Sequence, residues 1–170
     1  SPLHLAAAYA TLANDGKRVR PTLVHGRNSG GGEEVISPEA ARIAVRLLRD
    51  VVTRGTARTA NVEGYEIAGK TGTADKPRPG GGYYDKKNVT TFASVFPASD
   101  PKYVLVVTLD EPTARNVNGV ETRTAGTTTV PVAAELIRRI APLLGLRPQT
   151  EQELPVIEPR HGDAVRLVSN

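Results

Sequence analysis

The segment "AGKTGTA", residues 68–74, places a lysine beside hydroxyl-bearing residues: Lys70, Thr71 and Thr73, with Gly72 between the two threonines. A lysine ammonium and threonine hydroxyls all donate hydrogen bonds, so together they can bind an anion such as a phosphate or a carboxylate. Which anion they bind depends on whether they lie on a loop that precedes a helix or on an extended strand.

The first possibility is a phosphate-binding loop. Gly64, Gly69, Lys70 and Thr71 satisfy G-x-x-x-x-G-K-[ST], the loop of nucleotide hydrolases. That loop needs a hydrophobic strand before its first glycine and a helix that begins at the lysine, because the helix N-terminus binds the phosphates. Here the residues before Gly64 are polar, and the glycines and prolines that follow Thr71 disfavour a helix. The match is therefore interpreted as accidental.

The second possibility is a strand at the edge of a cleft, since "YEIA" before Gly69 is strand-like. Such a strand holds an extended ligand by backbone hydrogen bonds. Gly72 would leave room for the ligand to approach the strand. Gly69 would leave room for the residues that pack behind the strand. Alternation puts Lys70 on one side and Thr71 and Thr73 on the other. Strand twist and the long lysine stem would have to bring the ammonium to the hydroxyls.

Capping residues, apolar periodicity and turn residues predict an α+β arrangement around this strand. The predicted elements are helices that start at Ser1-Pro2, Ser37-Pro38 and Val130-Pro131, short extended pieces at 20–24 and 34–36, and strands at 65–73, 90–96 and 103–110. The short link at 97–102 favours an antiparallel hairpin. The polar residues 149–170 are expected to form a poorly ordered or surface-draped tail.

Composition argues against several other kinds of site. The chain of 170 residues suits one domain and has no cysteine. Its three histidines are far apart in sequence: His4, His25 and His161. No metal and no cofactor is therefore expected. The net charge of +4 is scattered and aromatics are few, which argues against a nucleic-acid partner. Arg42, Arg46 and Arg49 form a stripe at helical spacing, for which a solvated face is favoured.

These segments resemble class B penicillin-binding proteins, which are D,D-transpeptidases, and most of all the division-specific peptidoglycan synthase. K-T-G at residues 70–72 is similar to the third motif of that family. Four more segments resemble the family in the same order: 2–24, 51–57, 92–112 and 130–148. The resemblance implies the fold shared by penicillin-binding proteins and serine β-lactamases, an antiparallel sheet packed by helices, with three strands in this chain. Residues 1–148 would be the C-terminal part of a transpeptidase domain.

The resemblance also implies a role for each residue of the strand. Lys70 would supply positive charge to the site. The hydroxyls of Thr71 and Thr73 would bind the terminal carboxylate of a D-Ala-D-Ala stem peptide, or that of a β-lactam, as it passes Gly72. The backbone N–H of Thr73 would be one of two donors in the oxyanion hole. Lys70 and Thr73 are thus the expected catalytic residues, within a substrate-binding segment that runs from Lys70 to Thr73.

The nucleophile of the family is expected to lie outside this chain. It is the serine of S-x-x-K, and an S-x-N motif stands between it and K-T-G. No S-x-N precedes Lys70, and the one S-x-x-K, Ser99 to Lys102, follows K-T-G and contains Pro101. Ser99 is therefore interpreted as a turn residue. The chain, which also lacks methionine, is expected to be inactive alone and to accompany the N-terminal remainder of the same protein.

Further partners and a location follow from the resemblance. The partners would be peptidoglycan stem peptides, β-lactams and proteins of cell division and cell-wall synthesis. The location would be the periplasmic face of the cytoplasmic membrane, with an anchor in an N-terminal segment outside this chain. Two alternatives stay open: a β-lactam receptor of the same fold that does not cross-link, and a P-loop nucleotide hydrolase. The glycine-rich residues 74–88 are expected to border the cleft and either to influence ligand access or to be an ordinary connection.

Overall fold

The computed structural model of the chain describes residues 1–24 and 32–148. Its elements, in chain order, are α1 (Pro2–Ala13), α2 (Pro38–Thr53), a 3₁₀ turn (Arg58–Ala60), β1 (Ala68–Pro77), β2 (Tyr83–Phe96), β3 (Tyr103–Asp110), β4 (Arg115–Val117), β5 (Val120–Thr122) and α3 (Thr129–Leu143). None of the helices in these two ranges combines the length and the apolar character needed to span a membrane.

The three long strands form one antiparallel sheet in the order β1, β2, β3, as the sequence predicts. Within the described residues, β1 therefore lies at an edge of the sheet. The pairing of β2 with β3 ends at Val89 and Asp110. The pairing of β1 with β2 continues as far as Pro77 and Tyr83. The end of the β1–β2 hairpin consequently projects beyond the third strand as a two-stranded ribbon.

The hydrophobic core lies between one face of the sheet and the helices that cover it. Phe92 and Phe96 of β2 are buried against Val52 of α2 and against Val130 and Ile137 of α3. Val130 and Ile137 are seven residues apart and so share one face of α3. Full burial of a side chain of this size contributes about 1.5–3 kcal/mol, which makes this cluster the main support of the sheet.

The first two helices begin as predicted, at a serine followed by a proline. The Ser37 side chain accepts a hydrogen bond from the Ala40 N–H at 3.2 Å and caps α2. Helical spacing places the apolar residues Leu5, Tyr9 and Leu12 on one face of α1, where they would be expected to join the core. This face is only half-buried, and no residue of the helix is fully buried in the described structure.

Some local predictions differ from the structure. Residues 20–24 and 34–36 do not form strands, and a single bridge joins Lys17 to Glu34 instead. The hairpin of β4 and β5 was not predicted, although its turn, Asn118-Gly119, is a typical hairpin signal and both residues have positive φ, 52° and 83°. The tail predicted at 149–170 lies outside the described residues.

Candidate active site

The residues singled out for chemistry lie on β1, in extended conformation, at the sheet edge. Gly69 and Lys70 pair with Ser94 and Ala93 of β2. A strand at this point excludes the phosphate-loop interpretation, because Lys70 does not start a helix and its neighbouring N–H groups do not converge on one anion. The edge-strand interpretation is the one the structure supports.

Gly69 and Gly72 have different surroundings. A Cβ on Gly69 would lie 2.6 Å from the Ala93 carbonyl oxygen and 2.6 Å from Cζ of Phe92, so the packed sheet itself requires glycine. A Cβ on Gly72 would have no neighbour nearer than the Thr91 carbonyl oxygen at 4.0 Å. The space beside Gly72 is open, as a ligand that approaches the strand would need.

Lys70 reaches the hydroxyl side of the strand despite the alternation of side chains. Its Nζ donates a hydrogen bond to the Thr71 carbonyl oxygen at 2.9 Å and lies 3.4 Å from Thr71 Oγ1. The flexible four-carbon stem makes this possible. The ammonium and one threonine hydroxyl are thus neighbours at the exposed strand edge, which removes the difficulty that simple alternation poses.

The hydroxyls of Thr71 and Thr73 each form a hydrogen bond with a segment that was not predicted to be part of the site. Thr56, which follows α2, has its Oγ1 2.8 Å from Thr71 Oγ1. The Ala125 N–H, in the loop before α3, donates to Thr73 Oγ1 at 3.0 Å. These two segments also touch each other, since a Cβ on Gly126 would lie 2.7 Å from the Thr56 carbonyl oxygen. The site is therefore a junction of three segments.

A network of ion pairs anchors the projecting β1–β2 hairpin to the end of β3. Lys76 Nζ lies 2.9 Å from Asp110 Oδ1 and 2.8 Å from Glu111 Oε1, and Lys87 Nζ lies 3.4 Å from Glu111 Oε2. The hydrogen bond from Lys76 holds the pKa of Glu111 below its ordinary value, and the hydrogen bonds to Glu111 and Asp110 raise the pKa of Lys76. Exposed pairs of this kind contribute little each, but together they fix the hairpin's base.

The only S-x-x-K serine is far from a catalytic arrangement. Ser99 is exposed in the link between β2 and β3, beyond the end of β1 at Ala68. Its N–H donates to Glu66 Oε2 at 3.0 Å, while Lys102 pairs with Asp100 at 3.0 Å. Ser99 therefore occupies a turn, as predicted from Pro101.

The arginine stripe of α2 is only partly solvated, which corrects the sequence interpretation. Arg42 and Arg46 are exposed, and Arg42 pairs with Asp15 at 3.0 Å. Arg49 is 8% exposed and donates to Asn61 Oδ1 and to the Ile67 carbonyl oxygen. Its role is to tie α2 to the segment that enters β1. No group of three His, Asp or Glu side chains that could hold a metal ion occurs in residues 1–24 and 32–148.

The family model of the penicillin-binding protein transpeptidase domain matches residues 1–138. The chain belongs to this family. Penicillin-binding protein PbpB of Mycolicibacterium smegmatis is 44% identical over 128 residues, which covers 65% of this chain and 20% of the relative. A probable peptidoglycan D,D-transpeptidase FtsI of Caulobacter vibrioides is 34% identical over 162 residues, 89% of this chain and 27% of the relative.

Solved structures show the same fold. The ampicillin complex of penicillin-binding protein 3 from Mycobacterium tuberculosis has a TM-score of 0.72 at 32% identity, covering 91% of this chain and 37% of that one. The TP domain of Burkholderia pseudomallei penicillin-binding protein 3 has a TM-score of 0.76 at 32% identity, covering 89% of this chain and 44% of that one. The resemblance to class B penicillin-binding proteins and the predicted α+β fold are confirmed.

The chain spans between 20% and 27% of the length of the first four curated relatives it matches. The roles of Lys70, Thr71, Gly72 and Thr73 stay predictions at this point. What the structure adds is their geometry: an open glycine, an ammonium next to a hydroxyl, and a second hydroxyl held by a backbone N–H.

Proposed function

We propose that the protein to which this chain belongs is a peptidoglycan D,D-transpeptidase that acts through an acyl-serine and is a target of penicillins. The observation that carries the proposal is the edge strand β1, on which the Lys70 ammonium lies 3.4 Å from Thr71 Oγ1 and Gly72 leaves open space. In this proposal the chain supplies one wall of the active site, and a serine outside it supplies the nucleophile.

The proposed reaction is acyl transfer in two steps. The serine oxygen bonds to the carbonyl carbon of the penultimate D-alanine, the amide bond to the last D-alanine breaks, and the departing amine takes up the proton from the serine. An amine of a second stem peptide then attacks the ester, which restores the serine and forms the cross-link. A β-lactam would stop after the first step, because its opened ring stays attached.

The residues of β1 would bind and orient the ligand in this reaction. The hydroxyls of Thr71 and Thr73, beside the Lys70 ammonium, would hold the substrate's terminal carboxylate, and hydrogen bonds to a charged group contribute about 1.5–3 kcal/mol each. The Thr73 N–H would stabilise the oxyanion, for which loss of one donor typically costs about 2.7–4 kcal/mol. The open edge of β1 would accept the substrate backbone as an added strand.

The proposal extends to partners and location. A substrate in the cell wall implies a site on the periplasmic face of the cytoplasmic membrane, with an anchor outside this chain. A role in division, with division or cell-wall synthesis proteins as partners, is supported by relatives whose names include FtsI and stage V sporulation protein D.

The test is penicillin labelling of the intact protein, followed by mass mapping of the adduct. We expect the adduct on a serine outside this chain, together with release of D-alanine from a D-Ala-D-Ala stem-peptide analogue when an acceptor amine is supplied. An adduct on Ser99 would contradict the assignment of the nucleophile. Stable acylation with no turnover of the peptide would identify a β-lactam receptor instead, and absence of both would refute the proposed activity.

A further inference from the structure

The loop between β5 and α3 is attached to the same face of the sheet that carries Thr73. Thr73 pairs with Thr90, and directly paired residues of neighbouring strands place their side chains on one face. Asn88, two residues before Thr90, therefore shares that face. Its Nδ2 donates to the Arg123 carbonyl oxygen at 3.3 Å, while the Ala125 N–H donates to Thr73 Oγ1. Both strands thus hold this loop.

Three buried hydroxyls lock the end of the loop to β2. Thr90, Thr128 and Thr129 are at most 4% exposed. The Thr128 hydroxyl donates to the Thr124 carbonyl oxygen at 2.8 Å, and its oxygen lies 3.2 Å from Thr90 Oγ1, which is 2.5 Å from Thr129 Oγ1. Burying hydroxyls in a core is costly unless each is hydrogen-bonded, and here each has a partner. Valine would fill the same space without a polar group, so packing alone does not account for them.

The hydrogen bond from Ala125 fixes the direction in which Thr73 can donate. A backbone N–H only donates, so Thr73 Oγ1 is the acceptor in that bond. The single proton of the Thr73 hydroxyl is left for another partner. A free threonine side chain would instead sample several rotamers. An oriented donor on an exposed strand edge is suited to an anionic ligand.

We propose that Thr90 and Thr128 are positioning residues for Thr73. Through Thr124 they hold the Ala125 N–H at Thr73 Oγ1, and this aims the Thr73 proton at the ligand's carboxylate. The inference rests on the proposed function, since it assigns a purpose to the hydroxyl cluster only if Thr73 binds that carboxylate. In this proposal the preference for a carboxylic acid over its ester depends on residues packed behind β1, and not only on the residues that touch the ligand.

The experiment measures acylation of the intact protein by a penicillin with a free carboxylate and by the methyl ester of the same penicillin. Removing a hydrogen bond to a charged group slows the reaction by about 10-fold or more, so Thr73→Val should lower the acid rate by this amount and leave the ester rate nearly unchanged. For Thr128→Val and for Thr128→Ala we expect the acylation rate with the acid, but not with the ester, to fall by about 3- to 10-fold, because these changes should weaken the hydrogen bond of Thr73 to the carboxylate without removing it. Thr128→Ser, which keeps the hydroxyl, should restore the rate.

A matched control is Thr108→Val, because Thr108 pairs by its hydroxyl with Thr91 at 3.1 Å on the other side of the sheet. It should leave both rates unchanged. The acid-to-ester ratio does not depend on the folded fraction, because both rates come from one sample. Equal loss for acid and ester in the Thr128 variants, or no loss, would overturn the inference while the proposed function stands. Absence of acylation in the unmodified protein would instead refute the proposed function.

Discussion

Replacement of Gly72 by alanine should separate ligand binding from folding. The new Cβ would have no protein neighbour nearer than 4.0 Å, so the fold can accept it. The free energy of unfolding should stay the same or rise by about 0.5–1 kcal/mol, because glycine loses more conformational entropy in a strand than alanine. A ligand laid along β1 would meet the methyl group, and overpacking of this kind costs about 1–3 kcal/mol. Acylation should therefore slow by about 5- to 150-fold.

The measurement combines fluorescent-penicillin acylation rates with chemical denaturation of the intact protein. Gly69→Ala is the matched control, since its Cβ would lie 2.6 Å from both the Ala93 carbonyl oxygen and the Phe92 ring. It should lower the free energy of unfolding by about 1–3 kcal/mol or more. If Gly72→Ala is acylated as fast as the unmodified protein, ligands do not approach β1 at this residue and the proposed binding geometry is wrong.

Three further predictions concern the supports of the site. Gly126→Ala would bring a Cβ within 2.7 Å of the Thr56 carbonyl oxygen, so we expect a lower melting temperature and slower acylation; an unchanged melting temperature would contradict the close packing. Thr56→Val removes the hydroxyl 2.8 Å from that of Thr71 and should slow acylation by about 2- to 10-fold at a stability cost of about 1 kcal/mol or less; equal rates would exclude a role for Thr56. The pKa of Glu111 is lowered in the folded protein, so its stabilising contribution is present above its unfolded pKa and is lost as the pH falls through the folded pKa. The melting temperature should therefore fall less between neutral and acid pH for Glu111→Gln than for the unmodified protein. An identical pH dependence of the melting temperature in the two proteins would contradict this.

The sequence was sufficient to predict a strand at the candidate site, although its predicted bounds, 65–73, differ from those of β1, Ala68–Pro77. Polar residues before Gly64 and helix breakers after Thr71 argue against a phosphate loop, and Lys70 indeed lies within a strand. The third strand, Tyr103–Asp110, has the predicted bounds because its apolar run is continuous. Local patterns of this kind depend only on residues that are neighbours in the chain, so they can be identified from the sequence alone.

What sequence reasoning missed depends on contacts between distant segments. Thr56 and Ala125 are 15 and 52 residues from their partners Thr71 and Thr73, and although Thr56 lies in a segment that resembles the family, nothing in that segment indicates its contact with β1. The burial of Arg49 depends on Asn61 and the Ile67 carbonyl, which helical spacing does not reveal. One sequence feature could have indicated the contact near Ala125: Gly126 lies in a threonine-rich stretch, and glycine often occurs where two backbones approach closely.

The projection of the β1–β2 hairpin beyond β3 implies that β1 is unevenly stable along its length. Its first residues pair with a part of β2 that is buried and paired again with β3, whereas Pro77 pairs with Tyr83 in a two-stranded ribbon, after a register shift between Asp75 and Pro77. Two-stranded ribbons are marginally stable in water, and local opening requires least free energy where buried contacts are few. Among the β1 amides that bond to β2, hydrogen exchange should therefore be slow beside the buried part of β2 and faster toward Pro77, so that one strand is rigid beside Phe92 and opens more readily at the end of the hairpin.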